Sequence, residues 1–148
     1  MAGGFHRSQS RIHTITVEAM TSDPAKAYRI PEQAYEKDKE KELFEQLHRT
    51  IVEQQLFLDP LFARKTYIRL GPMNKNKAAR LIRKFTGTNL NGYINGLRLE
   101  HAAKLLAEYP DVPMKAVAAD SGFNSICTFF RSFRARYGMT PSQYRKKL

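Results

Sequence analysis

The chain has 148 residues, a hydrophobic fraction of 42% and a formal net charge of +11, which suits one domain or two very small ones around a modest core. Its single cysteine, Cys127, excludes an intrachain disulfide and any Cys-based metal site, and no cofactor or metal is expected. The charge is unevenly placed: residues 1–59 hold 8 Lys/Arg against 10 Asp/Glu, and residues 60–148 hold 17 against 4, a concentration that calls for a polyanionic partner, nucleic acid or an anionic membrane.

The N-terminal stretch "MAGGFHRSQSRIHTITVEAM" lacks the apolar run of a signal peptide. No stretch approaches the ~18–20 apolar residues of a membrane span. The expectation is a cytoplasmic, nucleoid-associated protein, or a cytoplasmic piece of a larger one, without membrane contact. Residues 1–38 read as a leader or the remnant of a missing domain. "RIHTITV" alternates loosely, as a strand does, but a lone strand is not stable. Residues 1–56 are too short and polar to enclose a small-molecule pocket. Segment 39–56 reads as an amphipathic connecting helix, with Leu43, Phe44, Leu47 and Ile51 at helical spacing. The charge run Glu36 to Glu42 reads as its solvated first turn. Its apolar stripe is offered to a dimer partner or a sensor domain. Asp59 and Pro60 read as cap and first turn of the next helix.

"ARKTYIRLGPMNKNKAARLIRKFTG" then reads as helix, tight turn, helix. Gly71 is expected at φ > 0 to end the first helix. Asn74 is expected to cap the second, which stops at Gly87. A long helix over about Asn89 to Glu108 follows, with Leu90, Tyr93, Ile94, Leu97, Ala102, Leu105 and Leu106 on its apolar face. Gly92 and Gly96 weaken that helix unless close packing requires them. Pro110 and Pro113 break it. "MKAVAADSG" and "NSICTFFRSFRARYG" are two further helices, ending at Gly122 and Gly138. Thr140 and Pro141 open a last one.

An internal repeat runs through this half. At an offset of 51 residues, Gly71 falls on Gly122, Asn74 on Ser125, Arg80 on Arg131, Arg83 on Arg134, Gly87 on Gly138 and Asn89 on Thr140. Two copies are too few for a solenoid, so they read as two related helix-turn-helix units. On a helix of about 100° per residue, Phe129, Ser132, Phe133, Arg136 and Tyr137 share one side, and Cys127, Phe130, Arg131 and Arg134 the other. In the earlier copy Ala78, Leu81, Ile82 and Phe85 face in, while Asn76, Ala79, Arg80 and Arg83 face out. The joining helix spans roughly 30 Å, near the ~34 Å turn of B-DNA. A rod of that length sets two basic helices into successive major grooves.

"GFNSICTFFRSFRARYGMTPSQYRKK" and "KFTGTNLNGYINGLRLEHAAKLL" resemble the AraC/XylS family of bacterial transcriptional regulators, over about Phe57 to Lys147. The resemblance implies an all-α fold of two homeodomain-like helix-turn-helix units (57–88 and 110–148) joined by a linker helix (89–109). It implies binding to double-stranded DNA and contact with RNA polymerase to activate transcription. By position it implies Asn76, Ala79 and Arg80 as base readers of the first unit, with Lys75 and Lys77 near phosphate. In the second unit it implies Ile126, Cys127, Phe130 and Arg131 as readers, with Thr128 and Arg134 toward the backbone. Asn74, Arg83 and Ser125 complete the set. Arg80 and Arg131 can each grip a guanine edge, a plain phosphate contact being the alternative; Ile126 and Phe130 meet a thymine methyl or pack on the linker or Phe123. Cys127 as a redox sensor is a lesser alternative. Tyr67 departs from the family, which has a small residue there, as Ala118 is in the second copy. Pro72, Met73 and Ser132 depart as well.

Three other readings compete. An enzyme is disfavoured: His6, His13, His48 and His101 are scattered, with no nucleophile-base pair, carboxylate cluster or phosphate-cradling loop. A sequence-indifferent architectural binder is separable by its indifference to sequence and loss of affinity in salt. A protein-interaction role for the 39–56 helix is compatible with the main reading.

Overall fold

Glu, Lys, Gln and Ala are strong helix formers, and the stretch from Glu32 carries them without a Gly or Pro until Glu53. The computed structural model describes residues 32–148; the loose strand pattern "RIHTITV" and most of the expected leader lie outside them. Helix α1 spans Glu32–Glu53, so the charge run from Glu36 sits a full turn inside the helix instead of starting it. The chain divides into Met1–Lys39 and Glu40–Leu148. In the first of these, the Lys39 ammonium lies 4.2 Å from the centre of the Tyr35 ring. Every element after α1 belongs to the second.

Past α1, Gln55 takes a left-handed conformation (φ 52) and the chain enters a 3-10 turn, Leu56–Leu58. The helix expected at Pro60 is a β-turn: the Phe62 N–H donates to the Asp59 carbonyl at 3.0 Å, and Asp59 Oδ1 accepts from the Leu61 N–H at 2.8 Å. Asp followed by Pro opens a turn as readily as a helix, and this turn leaves Phe62 free to bury. Helices α2 (Arg64–Arg69), α3 (Lys75–Thr86), α4 (Leu90–Glu108), α5 (Met114–Asp120), α6 (Ile126–Tyr137) and α7 (Pro141–Lys147) follow. Among the described residues there is no strand.

Caps explain most boundaries. Asn74 accepts from the Lys77 N–H, Asn89 from Gly92, Ser125 from Thr128 and Thr140 from Gln143, each satisfying a donor that a helix start leaves orphaned. Gln143 returns the bond to Thr140 in a capping box. α3 and α6 both end in a left-handed glycine, Gly87 and Gly138 at φ 72.

The first-copy turn differs from the expectation. Gly71 is not among the residues with positive φ. It sits instead in a close-packed spot: a Cβ there would lie 3.1–3.3 Å from Met73 Cε, Leu43 Cδ1 and Leu47 Cδ2, so those side-chain ends would have to shift. Gly122 does take φ +88, so the repeat pairs two glycines that do different work.

Two separate cores hang on α4. Its first half gives Tyr93 and Ile94 to a cluster with Leu47, Ile51, Phe57, Phe62, Tyr67, Ala78 and Ile82. Its second half gives Leu99, Ala102 and Leu106 to a cluster with Val117, Ala118, Phe123, Phe129 and Phe133. Each cluster is built around one helix-turn-helix unit. The apolar stripe of α1 belongs to the first: Leu47 and Ile51 are buried, and Leu43 and Phe44 pack against them. The stripe expected to dimerise or to meet a sensor is therefore covered from within, and the open face of α1 is polar apart from Tyr35 and Val52.

Candidate nucleic-acid interface

α3 and α6 present matching faces. Ala78, Leu81 and Ile82 of α3 are buried, while Asn76, Ala79, Arg80 and Arg83 are exposed. Phe129 and Phe133 of α6 are buried, while Ile126, Cys127, Arg131 and Arg134 are exposed. Every third or fourth residue inward and basic residues outward is what a surface helix of 3.6 residues per turn requires.

Two side chains depart from the expected faces on α6. Phe130 is half-buried and meets Phe129 edge-on at 5.7 Å, so it closes the second core and offers outward only part of its ring. Arg136, expected at the edge of the inward side, is exposed and donates to Glu100 of α4 at 2.6 Å.

Electrostatics separate the two starts. α3 opens with Lys75 and Lys77 and no acidic residue in its first turn. Cations at the positive end of a helix dipole are unfavourable, so these lysines do not stabilise the helix start. α6 opens on Ile126, Cys127 and Thr128 and has no charge there. Both helices carry Arg or Lys in the last turn, Arg83 and Lys84 in α3, Arg134 and Arg136 in α6, where the dipole favours them. Asn74 Oδ1 and Ser125 Oγ accept the cap bonds, which leaves the N–H or O–H donors of each uncommitted among the described residues.

Between α4 and the start of α6 lies a cleft of about 300 Å³, lined in part by Asn91, Asn95, Arg98, Asn124, Ser125 and Thr128. Its polar wall runs from the linker to the first turn of α6. Arg98 anchors it: Nε donates to the Phe57 carbonyl at 2.7 Å, Nη2 to the Asp59 carbonyl at 2.9 Å and Nη1 to Asn95 at 3.2 Å. Burial lowers its pKa, an effect the Asp59 charge opposes.

The sequence did not single out Glu40 or Lys84. Glu40 of α1 accepts from Arg80 Nη2 at 2.6 Å and from Lys84 Nζ at 2.7 Å. These hydrogen bonds, Lys84's first and Arg80's next, hold its carboxyl below the usual carboxylate range. The partners lie 40 and 44 residues away, beyond any local pattern. The one available signal was that Glu40 precedes Leu43 and Phe44 by three and four positions, which puts it on the edge of the apolar stripe.

Comparison with known proteins bears on these two units. A family model described as a helix-turn-helix domain matches residues 72–147. The transcriptional activator RhrA of Rhizobium meliloti is 41% identical over 71 residues, covering 45% of this chain and 23% of that protein. An uncharacterized transcriptional regulatory protein, YesN of Bacillus subtilis, is 33% identical over 76 residues, covering 51% of this chain and 21% of its own length. The chain thus spans about a fifth to a quarter of the length of these relatives. Among solved structures, the C-terminal domain of the two-component response regulator yesN from Fusobacterium nucleatum superposes with a TM-score of 0.59 at 25% identity, over 71% of this chain and 96% of that one.

Proposed function

The chain belongs to the AraC/XylS family of helix-turn-helix transcriptional regulators, and on that premise we propose that it is the DNA-binding output part of a regulator that reads two successive major grooves of one duplex. The observation that carries this reading is the matched pair of helices α3 and α6. Each has a polar cap, a left-handed glycine end and two outward arginines, and the two units are built on opposite halves of α4.

Arg80 and Arg131 each grip a guanine edge, worth ~1–3 kcal/mol of discrimination. Asn76 pairs with adenine, Ala79 and Ile126 meet thymine methyls, and Cys127 and the open part of Phe130 fill the groove beside Arg131. Lys75, Lys77, Arg83, Thr128 and Arg134 hold phosphates, joined by the free donors of Asn74 and Ser125. The unfavourable lysines at the start of α3 support an anionic ligand there. The signal enters from a sensor elsewhere in the regulator, a reading supported by the response-regulator C-terminal domain that this fold resembles; the polar face of α1 is the surface left for it. RNA polymerase is the second protein partner. The work takes place on cytoplasmic, nucleoid DNA.

Selection of bound duplexes from a random pool tests the reading. The expected product is an asymmetric site of ~20 base pairs, and Arg131→Ala should lose preference at one or two base pairs in one half of it. A uniform loss across sequences would reduce Arg131 to a phosphate clamp. An unselective pool whose binding salt abolishes would make the chain an architectural binder.

A further inference from the structure

We infer that Glu40 is a specificity-positioning residue: from outside the helix-turn-helix units it holds the Arg80 guanidinium in one pose on α3, turning a cation that would take any phosphate into one that reads a base edge. This rests on Arg80 being a base reader.

Glu40 is fixed, not a loose surface acid. Its side chain is 13% exposed, and each of its two oxygens has its own cation. Four residues on, Phe44 stacks on Phe85 of α3 at 5.0 Å and 20°. Further along, Leu47 and Ile51 anchor α1 in the first core. The carboxylate is thus delivered by a packed helix to a set point beside α3. Lys84, one turn beyond Arg80, holds its second oxygen and keeps it from swinging away.

Arginine has five N–H donors arranged as two two-pronged edges, both sharing Nη2. Glu40 takes a bond from Nη2 only. One edge is engaged and the other stays open, so Glu40 orients Arg80 without disarming it. The Arg80 side chain remains 63% exposed. Arg131, its counterpart in α6, makes no hydrogen bond or ion pair with any described residue, so only the first unit has such a holder. A carboxylate beside a DNA-facing helix repels phosphate and offsets two of its cations, which weakens raw affinity. Selectivity is the gain that accounts for it, because a guanidinium restricted to one pose loses less entropy on meeting its base.

The test uses the full chain and three probes: a duplex it selects from a random pool, that duplex changed at single base pairs, and the random pool itself, each titrated at several salt concentrations. Glu40→Gln should tighten binding to the random pool about two- to fivefold and steepen the salt dependence by about one counterion. Discrimination at the base pair read by Arg80 should fall about three- to tenfold. Glu40→Asp, which keeps the charge but falls short of Arg80, should lose discrimination with the salt dependence unchanged. Arg80→Ala should remove the preference at that base pair, and adding Glu40→Gln to it should change the preference no further. Were Arg80→Ala to abolish the preference while both Glu40 variants kept it intact, Glu40 would be a staple between helices and the inference would fall alone. Were Arg80→Ala to leave every base preference unchanged, base reading by Arg80 would fail first, and the inference with it.

Discussion

A buried hydroxyl must find a partner or carry a desolvation penalty of about 1–3 kcal/mol, and two tyrosines of the first core divide on that point. Tyr93 is hydrogen-bonded to His48 Nδ1 at 2.8 Å. Tyr67 is fully buried, and its hydroxyl has no partner among the described residues. Burial pushes its pKa up to about 12. Its ring belongs to the same buried cluster as Leu47, Ile51 and Phe57, residues contributed by α1 and the segment after it. Tyr67→Phe should therefore leave the packing intact and raise the unfolding free energy by about 1 kcal/mol, whereas Tyr93→Phe should lower it by a similar amount. Urea denaturation measures both, and a loss of stability in Tyr67→Phe would mean that the hydroxyl is satisfied.

Elements were legible in the sequence where they are specified by neighbours in the chain. Asn74 and Thr140 cap the helices expected of them, and Asn89 and Ser125, which the repeat sets against Thr140 and Asn74, cap theirs, because a cap bond reaches only two or three residues along. Legibility stopped where distant segments decide. Gly71 looked like a helix terminator, yet it serves the approach of Leu43 and Leu47. The stripe of α1 looked free because its partners Tyr67, Ala78 and Ile82 come later in the chain. Glu40 looked solvated because Arg80 and Lys84 meet it only after folding. Glycines at positive φ sharpen the contrast between local and distant control. At Gly87 an added Cβ meets nothing within 4 Å, so Gly87→Ala should cost only the left-handed strain, about 1–2 kcal/mol. At Gly122 it would lie 2.8 and 2.9 Å from the Phe57 and Leu58 carbonyl oxygens and 2.9 Å from Arg98 Nε. Gly122→Ala should cost about 2–4 kcal/mol, read by the shift in denaturation midpoint. Equal losses at the two positions would contradict the close approach.

At the scale of the molecule, the linker is only part of what sets α3 and α6 relative to each other. α4, with 19 residues, spans about 28 Å, and a rod alone fixes distance but not rotation. The turn before α6 also touches the segment after α1. Gly122 lies against Phe57 and Leu58, the Asn124 amide donates to the Pro60 carbonyl at 3.3 Å, and the Arg98 guanidinium lies 6.0 Å from the Phe123 ring centre. This polar clamp ties the second unit to the segment that leads into the first and resists turning about the rod. On the proposed function, this bracing is what would let one chain meet two grooves on one face of the duplex without a second copy. Hydroxyl-radical footprinting of the chain on a duplex it selects tests this most directly. The account predicts two protected segments on the same face, their centres about one helical turn (~10–10.5 base pairs) apart. A single protected segment, or two on opposite faces, would contradict it.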